Sequence, residues 1–223
     1  MNGKKMRNRK MAIKTREEWL EIRKSGLGAS EVSAIVGMNP YMTNIELFEY
    51  KTGIKEPEDI GDKPYVKYGL EAEKHLRALF ALDFPQYKVG YKDFDLVRNE
   101  KYPFILATLD GRLIERETGR KGVLEIKTTE ILKSMSRENW KDQVPDNYFV
   151  QCLHQLLTTG WEYVILKAQL KYNYDGEIFL QTKHYHIERS EVKEDLEYLL
   201  EQEIKFWEKV QKKERPDLLL PNI

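Results

Sequence analysis

The spacing of apolar and polar positions predicts helices first, then strands, one further helix, a hairpin and a long terminal helix. From Thr15 onward, Trp19, Leu20 and Ile22 recur at helical spacing until the break at Gly26-Leu27-Gly28, and a short helix is expected over 29–36 before Gly37 and Pro40. Thr43 followed three residues later by Glu46 is a capping-box pattern, since the hydroxyl and the carboxylate can each satisfy one orphan amide of a first turn. The helix it opens carries Ile45, Leu47, Phe48 and Tyr50 and stops at Gly53. After a polar loop over 54–64, a stronger helix is predicted from Tyr68 to Leu82, with Leu70, Leu76, Leu79 and Phe80 as its apolar stripe. Strand patterns follow at 87–97, 103–115 and 122–128, the last two joined by a turn at Glu117-Thr118-Gly119-Arg120.

A helix from Pro145 to Thr159 should end at Gly160, and 163–172 with 177–187 reads as a hairpin around Asp175-Gly176. Ser190 is placed to cap the last helix, 191–212, whose apolar face is Leu196, Leu199, Leu200, Ile204, Phe206 and Trp207. No internal repeat is visible. This order fits an α/β (α+β) fold, a central mixed β-sheet flanked by helices.

Size changes the picture little: 223 residues with 41% hydrophobic content suit one core-bearing domain, expected over 15–223 behind a flexible basic arm, 1–14. No apolar run reaches the roughly 18 residues of a spanning helix and no secretory leader is apparent, so a soluble, cytoplasmic protein is expected, with no membrane partner. Cys152 is the single cysteine, which excludes an intrachain disulfide and cysteine-ligated zinc. Formal net charge is zero, yet seven basic side chains and no acid fall within residues 1–16, leaving a mildly acidic body. Such a body suits carboxylates gathered around an oxygen-loving cation, while the arm also reads as an ordinary solvated tail.

The chemistry concentrates at Ala107-Thr108-Leu109-Asp110-Gly111 and Leu124-Glu125-Ile126-Lys127. Side chains two apart on a strand share a face, so Glu125 and Lys127 project together while Ile126 turns to the core. Pairing through the 117–120 turn can bring Asp110 alongside Glu125. Two carboxylates on rigid strands make a hard-cation site, and an adjacent ammonium can steady charge in a phosphodiester transition state. A surface ion pair would use the same residues, but the Val123, Leu124 and Ile126 setting is that of a buried strand, where charge needs a metal or a partner.

Asp110 followed by Glu125-Ile126-Lys127 resembles the PD-(D/E)XK nuclease signature, and the surrounding segments resemble the YqaJ-like viral recombinase family, which includes the lambda-type phage exonucleases. Arg23 to Val32 resembles its N-terminal motif, Tyr68-Gly69 with Glu73 and Arg77 its helical motif, and Tyr148 to Gln151 its post-core helix. The motifs run in order from about Trp19 to Trp207. Leu109 stands where the superfamily has Pro, a position that supplies backbone shape and no ligand. The resemblance implies a restriction-endonuclease-like core in which Asp110, Glu125, the Ile126 carbonyl and Glu73 hold magnesium, with manganese as a substitute. Lys127 and Gln151 then align the attacking water. It also implies that Arg23 and Ser30, at a Gly-rich turn suited to phosphate, bind the 5′-phosphate end. The implied substrate is linear duplex DNA with free ends, degraded 5′ to 3′ to leave single strand for a phage-type annealing protein, by an enzyme that forms rings, often trimers.

Spacing selects Glu73 over Glu71 as the helical carboxylate. Gln155, one turn beyond Gln151, reads as a structural hydrogen-bonding residue, His154 as packed, and His184 with His186 as a pair lacking a third ligand. Two rivals stand beside the exonuclease: a related endonuclease of the same superfamily, and a catalytically silent DNA-binding module.

Overall fold

The computed structural model describes residues 15–131 and 139–220; the basic arm, 1–14, lies outside them. Helix α1 (Arg16–Lys24) is capped by the Thr15 hydroxyl, which accepts from the Glu18 amide. Helix α2 (Asn44–Thr52) starts with the expected capping box, both halves formed, and ends on Gly53 at φ 73°, a left-handed turn that Gly adopts without strain. Helix α3 (Pro64–Asp83) begins four residues before the predicted start, Pro64 sitting at the head of a helix where its missing amide costs nothing. Its predicted stripe is only half right. Leu76 and Phe80 are buried, but Leu70 and Leu79 are exposed at 61% and 48%, because α3 meets the sheet along a narrow line.

The strands divide into two mixed sheets. Strands β1 (Leu27–Gly28), β4 (Ile105–Thr108) and β3 (Leu96–Arg98) form one, in the order β1-β4-β3. Strands β2 (Tyr87–Gly90), β5 (Gly111–Glu115), β6 (Lys121–Ile131), β7 (Tyr163–Tyr174) and β8 (Glu177–Glu188) form the other in the order β2-β5-β6-β7-β8, all antiparallel except the β6–β7 pair. Two predicted strands are thus each two strands: 87–97 breaks around Phe94, at φ 51°, and 103–115 breaks at Leu109-Asp110, where the chain leaves one sheet for the other. Apolar character continues across the second break, where Leu109 is buried, whereas the first falls on the exposed Tyr91-Lys92-Asp93. The 117–120 turn and the hairpin around Asp175-Gly176 form where expected.

Helix α4 (Asp146–Thr159) lies between the sheets and is buried from Val150 through Thr158, which is why its polar residues matter. Helix α5 (Lys193–Lys212) packs beside it. Ser190 does not cap α5: the cap position is Val192, with no side-chain bond. The expected helix over 29–36 is a chain of turns around a single 3-10 segment, Val32–Ala34. Leu27, Val32, Ala34 and Ile35 are all buried there, so no polar face exists to sustain an amphipathic helix.

Candidate active site

Strand β6 organises the centre. Its ladder with β5 ends at the Gly111–Leu124 pair, so Asp110 lies just beyond, opposite Glu125. The Ile126 amide donates to Asp110 Oδ2 at 2.9 Å rather than to a strand. Within an extended residue the amide and carbonyl leave on the same side, so the Ile126 carbonyl also faces the Asp110 edge. Burial first, then repulsion from the Glu125 and Glu73 carboxylates, hold the Asp110 carboxyl well above the usual range, against the weaker pull of Lys127 and the Ile126 amide.

Glu125, 2% exposed, is gripped from α4: Gln151 Nε2 donates to Oε1 and Gln155 Nε2 to Oε2, each at 2.5 Å. Lys127 Nζ lies 2.6 Å from Glu125 Oε1. A carboxylate offers about four lone-pair positions, so three N–H donors still leave room for a metal. Burial alone would push the Lys127 ammonium down, but Glu125 and Asp110 outweigh it and hold the group up as an ammonium. Sequence reasoning assigned Gln155 no part in the site; the structure places it as the second clamp on Glu125. Its signal was the i, i+4 spacing from Gln151, which puts both amides on one face of α4.

Helix α3 brings Glu73 to the same place. Gly69 makes the approach possible, since a Cβ there would stand 3.3 Å from Thr128 Oγ1 on β6. Glu73 Oε1 accepts from Arg77 Nη1 at 2.7 Å, and the same nitrogen donates to the Asp110 carbonyl at 2.6 Å. Glu71 instead points outward and pairs with Lys74 at 2.6 Å.

Arg23 and Ser30 complete the wall. Trp19 Nε1 donates to Thr108 Oγ1 at 2.8 Å, fixing α1 to β4, and the Arg23 guanidinium lies 4.6 Å above the Trp19 ring. Arg23 Nη2 donates to Ser30 Oγ at 3.3 Å and lies 4.0 Å from Glu31. Glu31 accepts from the Gly28 amide at 2.7 Å and pairs with the buried Lys51 ammonium, which also holds the Arg23 carbonyl at 3.1 Å. One cavity of about 260 Å³ is lined by Arg23, Ser30, Glu73, Asp110, Glu125, Lys127 and Gln151 together. Ile126 reaches that edge only through its backbone.

The remaining candidates fall elsewhere. His154 is fully buried against α5, its Nδ1 2.7 Å from Glu203 and its Nε2 2.8 Å from the Leu106 carbonyl. His184 and His186 line a separate, aromatic-walled cavity. Burial and then Glu125 push the Cys152 thiol far up, which removes it as a nucleophile. Among the described residues no group of three or more His, Cys, Asp or Glu side chains is arranged to hold a metal ion by itself. An open set of carboxylates suits magnesium, which keeps several waters, better than an ion held by protein groups alone.

A family model described as the YqaJ-like viral recombinase domain matches residues 18–162. A protein of Bacillus subtilis (strain 168), YqaJ, is 32% identical over 194 residues, which is 86% of this chain and 56% of that protein, so the chain spans about half its relative's length. An alkaline exonuclease from Laribacter hongkongensis shares the fold, with a TM-score of 0.55 at 21% identity over 88% of this chain and 97% of that one. The structure of that enzyme in complex with dAMP matches at a TM-score of 0.55 and 20% identity, with the same coverage.

Proposed function

Starting from the fact that the chain belongs to the YqaJ-like viral recombinase domain family, we propose that it is a magnesium-dependent exodeoxyribonuclease that degrades linear duplex DNA from 5′-phosphorylated ends. The observation that carries this reading is the shared cavity: the phosphate-suited pair Arg23 and Ser30 and the acidic cluster around Asp110 open into the same 260 Å³.

Asp110, Glu125, the Ile126 carbonyl and Glu73 would hold magnesium, or manganese in its place. Bound there, the metal supplies Lewis-acid stabilisation of charge on the phosphoryl oxygens. The chain's own residues do the rest. Arg23 and Ser30 hold the terminal phosphate and set which bond lies over the acids. The Lys127 ammonium balances charge as water adds to phosphorus and the P–O bond to the leaving oxygen breaks, and Gln151 and Gln155 keep Glu125 fixed meanwhile. Delivery of the remaining strand to a single-strand annealing protein, a ring-shaped homo-oligomer and a cytoplasmic setting belong to the same proposal.

End-labelled linear duplex tests it. Cleavage should require magnesium or manganese, cease in EDTA, spare closed circles and run faster on 5′-phosphate than on 5′-hydroxyl ends, with Arg23→Ala shrinking that ratio at fixed salt. Full activity in EDTA would remove the metal-dependent mechanism, circle cleavage would favour an endonuclease, and digestion from 3′ ends alone would remove the polarity.

A further inference from the structure

We infer that Arg77 is a positioning residue for the acidic cluster, tying the Glu73 carboxylate on α3 to the backbone of Asp110; the inference rests on the nuclease reading above. One nitrogen, Nη1, makes both bonds, 2.7 Å to Glu73 Oε1 and 2.6 Å to the Asp110 carbonyl. An ordinary Glu–Arg pair four apart on a helix stays on that helix and contributes little. This one reaches across 33 residues of sequence.

Its second acceptor is a peptide that needs holding. Asp110 belongs to neither ladder, lying between the end of β4 at Thr108 and the start of β5 at Gly111, where the chain changes sheets. The guanidinium itself is fixed: its side chain is 12% exposed, and its central carbon lies 3.5 Å from the Tyr91 ring centroid. Gly111 lies directly beneath the side chain, its Cβ position within van der Waals contact, 3.6 Å, of Arg77 Cδ. The distance between the helical and strand carboxylates therefore depends on one planar group with its face covered and one nitrogen bonded to both sides.

The alternative role is competition. As a plain counter-ion for Glu73, Arg77 would have to be displaced when metal arrives, and its removal would tighten metal binding. As a positioning residue, its removal loosens binding, by about tenfold as for other groups that orient metal ligands.

The test is calorimetric titration of the full chain with manganese alone, without DNA, for wild type, Arg77→Gln and Arg77→Lys, with thermal unfolding in EDTA as the control. We expect Arg77→Gln to bind manganese about tenfold more weakly, and Arg77→Lys, which keeps the charge, to recover part of the loss. The magnesium concentration for half-maximal cleavage should rise by more than the maximal rate falls. Unchanged or tighter manganese binding in Arg77→Gln overturns the inference while leaving the nuclease reading in place. Should Arg77→Gln fail to fold, equal binding by wild type and Arg77→Lys overturns it in the same way. A wild-type chain that binds no manganese sinks both.

Discussion

The two faces of β6 are opposite in character, and the polar one is the less closed, with the Lys127 side chain 21% exposed. Toward α3, Leu124 and Ile126 pack with Leu76, Phe80, Leu113, Tyr163 and Ile165 in an apolar cluster. Toward α4, Glu125 and Lys127 meet Gln151 and Gln155. Burial stabilises the first face by removing apolar area from water, whereas on the second it costs free energy that the amides and the ion pair only partly return. One strand can carry both because alternate side chains point to opposite faces. The lesson is that stability and proposed chemistry are separated here by a single residue of register, so they should respond separately to mutation.

The sharpest break in the comparison comes from neutralising the uncompensated acid. Asp110→Asn keeps an oxygen for the Ile126 amide but removes the ligand charge, and should cut cleavage by about a hundredfold or more. In EDTA it should also raise stability. Folded Asp110 keeps its proton to higher pH than the unfolded chain does, so its contribution falls as pH rises above the ordinary carboxylate range. The gain in melting temperature over wild type should therefore be larger at pH 8 than at pH 5. A variant less stable than wild type at pH 8 would mean that Lys127 already compensates the acid.

The apolar face should behave in the opposite way. Ile165, 5% exposed, becomes a cavity in Ile165→Ala, which should cost about 2–5 kcal/mol while leaving the rate per folded molecule near wild type. Denaturant titration beside an activity assay well below the new midpoint would decide. A large loss of rate with an unmoved midpoint would erase the distinction between the faces.

How much of this was legible in sequence depended on how local each determinant is. The capping box at Thr43 and Glu46, the helix ending at Gly160 and the hairpin at Asp175-Gly176 are set by neighbours a few residues apart, and all appear as expected. The family and the placing of Asp110 opposite Glu125 were also legible, because the turn at 117–120 fixes that register. What escaped is long-range. The division of 87–97 and 103–115 between two sheets follows from α4 lying between them, which no local pattern reports. Spacing put Gln155 on the Gln151 face, but that it meets Glu125 across 30 residues, and that Lys51 braces Arg23 across 28, is set by the fold.

Gln155 sharpens the comparison from within the polar face. Gln155→Leu leaves Glu125 Oε2 buried without that donor, which should cost about 1–3 kcal/mol. Because the freed carboxylate can rotate, metal affinity should also fall, by about tenfold. Calorimetry with manganese and thermal unfolding in EDTA separate the two effects. Loss of stability with unchanged metal affinity would return Gln155 to a purely structural role.

The smallest expected effect asks whether buried charge on α4 marks function wherever it occurs. His154 and Glu203 are both fully buried, and the imidazole faces an acceptor at each nitrogen, Glu203 and the Leu106 carbonyl, yet neither residue lines the cavity around Asp110 and Glu125. Burial alone would lower the imidazole's pKa, but Glu203 and the Leu106 carbonyl outweigh it and raise it. A group raised on folding contributes stability that is complete below the ordinary imidazole range and is lost as pH rises through its folded value. Wild type should therefore lose stability from neutral into alkaline pH, on the order of 1 kcal/mol, the net worth of one hydrogen bond. Replacing both partners, as His154→Met with Glu203→Met, avoids stranding either charge and should flatten that slope at little cost in overall stability. Cleavage and manganese affinity measured at one neutral pH should stay near wild type, because nothing on this side of α4 touches the acids. The slope is read from melting temperatures in EDTA across pH 6 to 9. An unchanged slope would assign the alkaline loss to other groups, and a fall in manganese affinity would show that the two buried polar sets on α4 act as one.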